Sequence, residues 1–134
     1  MRKTVFMLTL ALASAVIAAC APVQPKREYV PRDDLKVDPE IRQSLTVQDL
    51  LSQRVKLADD SALLRIQFSV QAYQDTDMEW DVTWFDGDGM IVPGVGEGYR
   101  TARVLRNQTR FFSATAPHER AVSYQLHLRE DREP

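Results

Sequence analysis

Residues 78–93, MEWDVTWFDGDGMIVP, constrain this chain more than any other stretch. Met78, Trp80, Val82 and Trp84 alternate with Glu79, Asp81 and Thr83, continuing outward to Asp77. In an extended backbone successive side chains face opposite sides, so the alternation yields one apolar and one polar face. Both tryptophans of the protein fall on the apolar face. Asp86-Gly87-Asp88-Gly89 follows as a hairpin turn signal, and residues 90–92 read as a short returning strand. The stretch therefore predicts the central hairpin of a small antiparallel β domain.

The flanking sequence supplies partners for it. Leu64, Ile66, Phe68, Val70 and Ala72 alternate with Arg65, Gln67, Ser69 and Gln71 without exception, which marks a strand with one wet face. Upstream, Leu45, Val47, Leu51, Val55 and Leu57 alternate, and Asp49 and Leu50 interrupt them as a β-bulge does. A helix competes there, with Thr46 and Asp49 as a cap; the β-rich surroundings favour a strand. After Pro93 a glycine-rich loop, residues 94–99, precedes a brief strand around Arg103–Leu105. Phe112, Ala114 and Ala116 line the next strand, which Pro117 stops, and Val122, Tyr124, Leu126 and Leu128 alternate in the last. Six or seven short strands at such spacings predict an all-β, immunoglobulin-like sandwich over residues 44–130, with a charged tail at 131–134.

The first twenty residues read differently. Arg2 and Lys3 precede an apolar run from 4 to 19 that closes Ile17-Ala18-Ala19-Cys20. The run is shorter than the roughly 20 residues of a membrane-spanning helix and ends in small residues, as a secretory leader does. Aliphatic-Ala-Ala-Cys at this position resembles the lipobox of bacterial lipoproteins. The resemblance implies removal of residues 1–19, lipidation of Cys20 and a membrane attachment through that lipid. Ala21 after the cysteine implies the outer membrane, facing the periplasm. Cleavage at Ala-x-Ala with a free thiol, or a buried amino-terminal helix, are the alternatives; a lone exposed thiol is disfavoured in an oxidising compartment.

Residues 20–43 carry Pro22, Pro25, Pro31 and Pro39 among many charges, with sparse, aperiodic apolar residues. They read as a flexible linker, spanning roughly 25 Å as a coil and about 75 Å at full stretch. Removal of Arg2 and Lys3 with the leader lowers the basic count from 17 to 15 against 19 acidic residues, a formal net charge of −4. That is no footprint for nucleic acid.

Taken together, the lipobox at Cys20, the strand at 64–70, Trp84-Phe85-Asp86 with Gly89, Ala114-Thr115-Ala116-Pro117 and the strand at 124–128 resemble the small periplasmic lipoproteins called YcfL-like. The resemblance implies an immunoglobulin-like sandwich without an assigned activity.

No residue set points to catalysis. Asp75, Asp77, Glu79 and Asp81 form a comb of carboxylates about 7 Å apart on one strand face. Calcium requires six to eight oxygens converging from a curved loop, so the comb reads as a solvated face, paired across the sheet with Arg65. Two wet carboxylates on a flat sheet also lack the cleft of a glycosidase. His118 and His127 have no cysteine partners for a structural zinc, and no Gly-x-Ser-x-Gly elbow accompanies them. No metal, cofactor or catalytic residue is expected. Trp80, Trp84, Phe68 and Phe112 occupy inward positions and read as core. Tyr99 and Arg100, in the loop after Pro93, and Phe111, out of phase with Phe112, are the candidates for a partner surface. The sequence thus predicts a non-catalytic, membrane-anchored binding or accessory module with a periplasmic protein partner, acting in envelope assembly. The alternative is a binder of a cell-wall fragment or Ca2+.

Overall fold

A computed structural model of the protein describes residues 32–96 and 98–132. The expected leader at 1–19, Cys20, the expected linker as far as residue 31, Glu97 of the glycine-rich loop and the last two residues of the expected tail lie outside the described residues.

Among the described residues seven strands form two sheets. In chain order they are β1 (Leu35–Val37), β2 (Leu45–Lys56), β3 (Ala62–Ala72), β4 (Thr76–Phe85), β5 (Arg100–Val104), β6 (Thr109–Thr115) and β7 (Ser123–Glu130). One sheet has the order β1-β7-β4-β5 and the other β2-β3-β6, so the chain changes sheet after β1, β3, β5 and β6. All pairings are antiparallel except β1 with β7, which is parallel. The sandwich read from the alternating strands is the fold observed.

The core lies between the sheets. Leu64, Ile66, Phe68, Val70 and Ala72 of β3 are buried, as are Met78, Trp80 and Trp84 of β4 and Leu126 and Leu128 of β7. Phe68 meets Trp80 edge-on across the sandwich at 5.0 Å between centroids and stacks on Phe112 at 5.1 Å. Each such pair adds about 0.5–1.5 kcal/mol beyond its buried area. Trp80, Trp84, Phe68 and Phe112 are packing material, as their inward positions predict.

Three expectations are corrected. First, the folded body begins before residue 44. Leu35, Val37 and Ile41 are buried, the last in a 3-10 turn at Ile41–Gln43. The expected linker over 20–43 is therefore part of the sandwich at 35–43, where Leu35 and Val37 alternate across Lys36 and face Leu126 and Leu128. Three residues are too short a period to stand out among the surrounding prolines and charges. The tail is likewise tied down at its start, where the Asp131 N–H donates to the Asp77 carbonyl at 3.2 Å.

Second, the returning strand at 90–92 shrinks to one bridge, Phe85 with Ile91, and the Val92 N–H bonded to the Trp84 carbonyl at 2.8 Å. The turn itself forms as predicted. The Asp86 carboxylate accepts the N–H groups of Asp88 and Met90 at 2.9 and 3.0 Å, and Gly89 takes a positive φ of 78°. Pro93 then stops any continued pairing, and the long partners of β4 are β7 and β5.

Third, the bulge in β2 reverses the strand's phase. The register slips between Val47 and Asp49, so Leu45, Val47 and Leu50 point inward while Leu51 and Val55 point outward. Leu51 and Leu57, read as part of the buried alternation, are exposed. At the inward positions Ser52 and Arg54, β2 is polar, and the Arg54 guanidinium reaches the Ala121 carbonyl at 3.3 Å to close the sandwich.

Candidate partner-binding surface

The outward face of the four-stranded sheet carries the carboxylate comb, and register decides its partners. Asp77 stands opposite Arg103 on β5 and Glu79 opposite Arg129 on β7. The Arg103 guanidinium donates to both Asp77 oxygens, at 2.9 and 3.2 Å, and Arg129 Nε donates to Glu79 at 2.6 Å. Arg65, the partner expected from the sequence, lies on β3 in the other sheet, with the core between. Asp86 is committed to its own turn. Among the described residues no group of three or more His, Cys, Asp or Glu converges in a way that could hold a metal ion.

Beside the comb, five side chains form a polar chain that the sequence does not announce. Asp38, just after β1, accepts a hydrogen bond from His127 Nε2 at 2.7 Å. The other ring nitrogen, Nδ1, lies 2.6 Å from the Tyr99 hydroxyl. The Arg129 guanidinium lies 3.4 Å from the centre of the Tyr99 ring, and Arg132 reaches Asp38 at 3.5 Å. The hydrogen bond from His127, opposed by burial and helped by the charges of His127, Lys36 and Arg132, holds the Asp38 carboxyl below the usual range. His127 sits at an outward position of β7, as its alternation predicts, but is covered by its neighbours. Asp38 was hidden because it falls in the proline-rich stretch; the only signal for it is the Leu35-Lys36-Val37 alternation immediately before.

Tyr99 is therefore no free loop residue. Its ring stands edge-on to His127 at 5.6 Å and under Arg129, which fixes the loop to the sheet. Arg100 begins β5 and lays its guanidinium 4.8 Å from the Trp80 ring at the open side of the sandwich. Both residues sit on the same sheet, yet each is engaged with its own neighbours. Phe111 is exposed, as its phase predicts, but on the outward face of the other sheet. The three do not assemble into one surface. His118 is turned to its own loop, where its Nδ1 accepts the Arg120 N–H at 3.1 Å.

Two further features bear on binding. A cavity of about 380 Å³ is lined by Ser44, Gln74, Asp75, Thr76, Asp77, Glu130 and Asp131, all polar. The β2 strand is 12 residues long and pairs only with β3, so among the described residues its other edge has no strand partner. Beyond the bulge, residues 51–54 are exposed on both faces. Backbone groups along such an edge are a template for an added strand.

Two solved structures share the fold. One is a Campylobacter jejuni protein, cj0090, with a TM-score of 0.61 and 19% identity, covering 75% of this chain and 100% of that one. The other, from Shewanella sp. pv-4, has a TM-score of 0.55 and 22% identity over 67% of this chain and 81% of its own, and is itself described as a DUF1425 family member. No curated protein matches. The sequence profile of a protein family of unknown function, DUF1425, matches residues 39–130, which takes in the 3-10 turn and six of the seven strands, and the chain belongs to that family.

Proposed function

We propose that this protein is a non-catalytic accessory lipoprotein of the YcfL-like type. Acylated Cys20 holds it in the outer membrane, facing the periplasm, and its sandwich engages a periplasmic protein in envelope assembly. The observation that carries the partner reading is the edge of β2 that has no strand partner among the described residues, with its exposed run at residues 51–54. An extended segment of a partner gains main-chain hydrogen bonds along that edge, and Leu51 and Val55 on the outward face offer apolar contacts to its alternate side chains. The bulge confines addition to the regular stretch beyond Asp49, which sets the register of an incoming strand. The cavity beside Ser44 is polar and offers no apolar seat for a small ligand.

Two experiments test this. A photo-crosslinking amino acid placed at Gln53 in living cells is expected to yield a discrete protein adduct, identified by mass spectrometry. The same group at Arg106, in the turn between β5 and β6, serves as the control. Adducts that are absent, or identical from both positions, overturn strand addition at β2. Labelled palmitate incorporated by the wild-type chain and lost in Cys20→Ser checks the anchor; a wild-type chain that takes up no acyl group refutes it.

A further inference from the structure

The regular part of β2 is symmetric about Gln53 in both its backbone and its outward side chains. The Leu57 N–H donates to the Ser61 carbonyl at 2.8 Å, so Leu57 turns its backbone groups toward β3. Backbone groups alternate along a strand. Those of Leu51, Gln53 and Val55 therefore face β3, and those of Leu50, Ser52, Arg54 and Lys56 face the free edge. Among the described residues no strand stands opposite these four. Side chains alternate too: Leu51, Gln53, Val55 and Leu57 point outward, and Leu51 and Leu57 are exposed. The other side of the sandwich is less open, because the Arg110 guanidinium of β6 already donates to the Arg103 carbonyl of β5 at 2.7 Å.

We propose that the strand added at this edge is β2 of a second copy of the chain, antiparallel about a twofold axis at Gln53. The proposal rests on the strand-addition reading of the edge and names its occupant. In this register Ser52 stands opposite Arg54 of the second copy and Leu50 opposite its Lys56, so all four edge-facing residues of each copy exchange hydrogen bonds. The outward residues then form the closely spaced pairs. Leu51 meets Val55 of the second copy, twice by symmetry, and Gln53 meets its own counterpart, amide to amide. Leu57 meets Asp49, and no like charges stand directly opposite one another. The two three-stranded sheets become one sheet of six.

The neighbouring registers fit worse. An axis at Arg54 sets the two Arg54 side chains directly opposite, a destabilising pair of like charges. An axis at Ser52 trades the Leu51–Val55 contacts for Leu51 on Gln53 and Asp49 on Val55, and carries Lys56 onto Gln48 at the bulge. An axis between two residues sets inward side chains of one copy beside outward ones of the other and mismatches the edge groups. The bulge at one end and the turn after Lys56 at the other bound the regular stretch, and Gln53 is the midpoint of residues 50–56.

The test is disulfide trapping of the full chain in living cells, with two epitope tags on co-expressed copies and the wild-type chain, whose sole cysteine is Cys20, as background. A closely spaced antiparallel pair holds its Cα atoms about 4.5 Å apart, within disulfide range. Gln53→Cys is therefore expected to link copies bearing the two tags after mild oxidation. Leu51→Cys alone stands four residues from its counterpart, about 13 Å along the strand, and is expected to link at most about a tenth as much. Leu51→Cys in one copy and Val55→Cys in the other are expected to link as well as Gln53→Cys does. Leu51→Asp, a surface change, is expected to lower linkage through Gln53→Cys at least threefold. Self-linkage that is equal at 51 and 53 reports collision without register and overturns the pairing. Gln53→Cys linked only to a different protein overturns pairing between copies and leaves strand addition at β2 standing. No linkage from 51, 53 or 55 to any protein overturns both.

Discussion

Ile41→Ala distinguishes a spacer from a structural segment. Ile41 is 1% exposed, in the 3-10 turn that lies against the start of β2 and against β7. The Ile41 N–H bonds the Asp38 carbonyl at 3.3 Å and its own carbonyl accepts the Ser44 N–H at 3.0 Å, so the backbone holds the side chain in place. Truncation to alanine removes three buried carbons and leaves a void that rigid strands on two sides cannot close. Such changes cost about 2–5 kcal/mol, whereas a substitution in a solvated linker stays within about 0.5 kcal/mol. Urea unfolding followed by tryptophan emission is the assay, since Trp80 and Trp84 are both buried in the core. With a slope of about 1–3 kcal/mol per molar urea, the midpoint is expected to fall by about 1 M or more with the slope unchanged. A midpoint shift equivalent to less than about 0.5 kcal/mol refutes the inclusion of residues 35–43 in the folded unit.

Two further outcomes follow from particular contacts. Asp38→Asn removes a carboxylate whose folded pKa lies below its ordinary 3.8, chiefly through the hydrogen bond from His127. A depressed carboxyl contributes stability above its unfolded pKa and loses it as pH falls through the folded value. The wild type is therefore expected to be the more stable at pH 6, the gap closing below about pH 4; urea midpoints across pH 2.5–7 that keep a constant gap contradict this. Gly94→Ala places a methyl carbon 2.7 Å from Pro117 Cβ, and a ring cannot swing aside as a flexible chain does. A loss of about 1–3 kcal/mol is expected in thermal or urea unfolding, and wild-type stability speaks against that close approach.

The strands with unbroken two-residue periods were legible because alternation is a local property. Residues 64–72 and 78–84 bury the positions their spacing assigns, and the Asp86–Gly89 turn closes with the groups its sequence supplies. The resemblance implied the same sandwich fold, and the family to which the chain belongs is one of unknown function. Elsewhere a single inserted residue, at the β2 bulge, reversed the facing of Leu51 and Val55, and alternation alone does not say which side of a bulge keeps its phase.

What the sequence by itself determined is the strands with unbroken alternation and their apolar faces, since a side chain's facing follows from the pleat of its own strand. Tertiary structure alone decided which strands became neighbours. That choice brought Asp38 to His127 across 89 positions and gave Glu79 to Arg129 rather than to Arg65. It also added residues 35–43 to the core. Those contacts depend on sheet order and on the parallel docking of β1, long-range pairings on which a two-residue period carries no information.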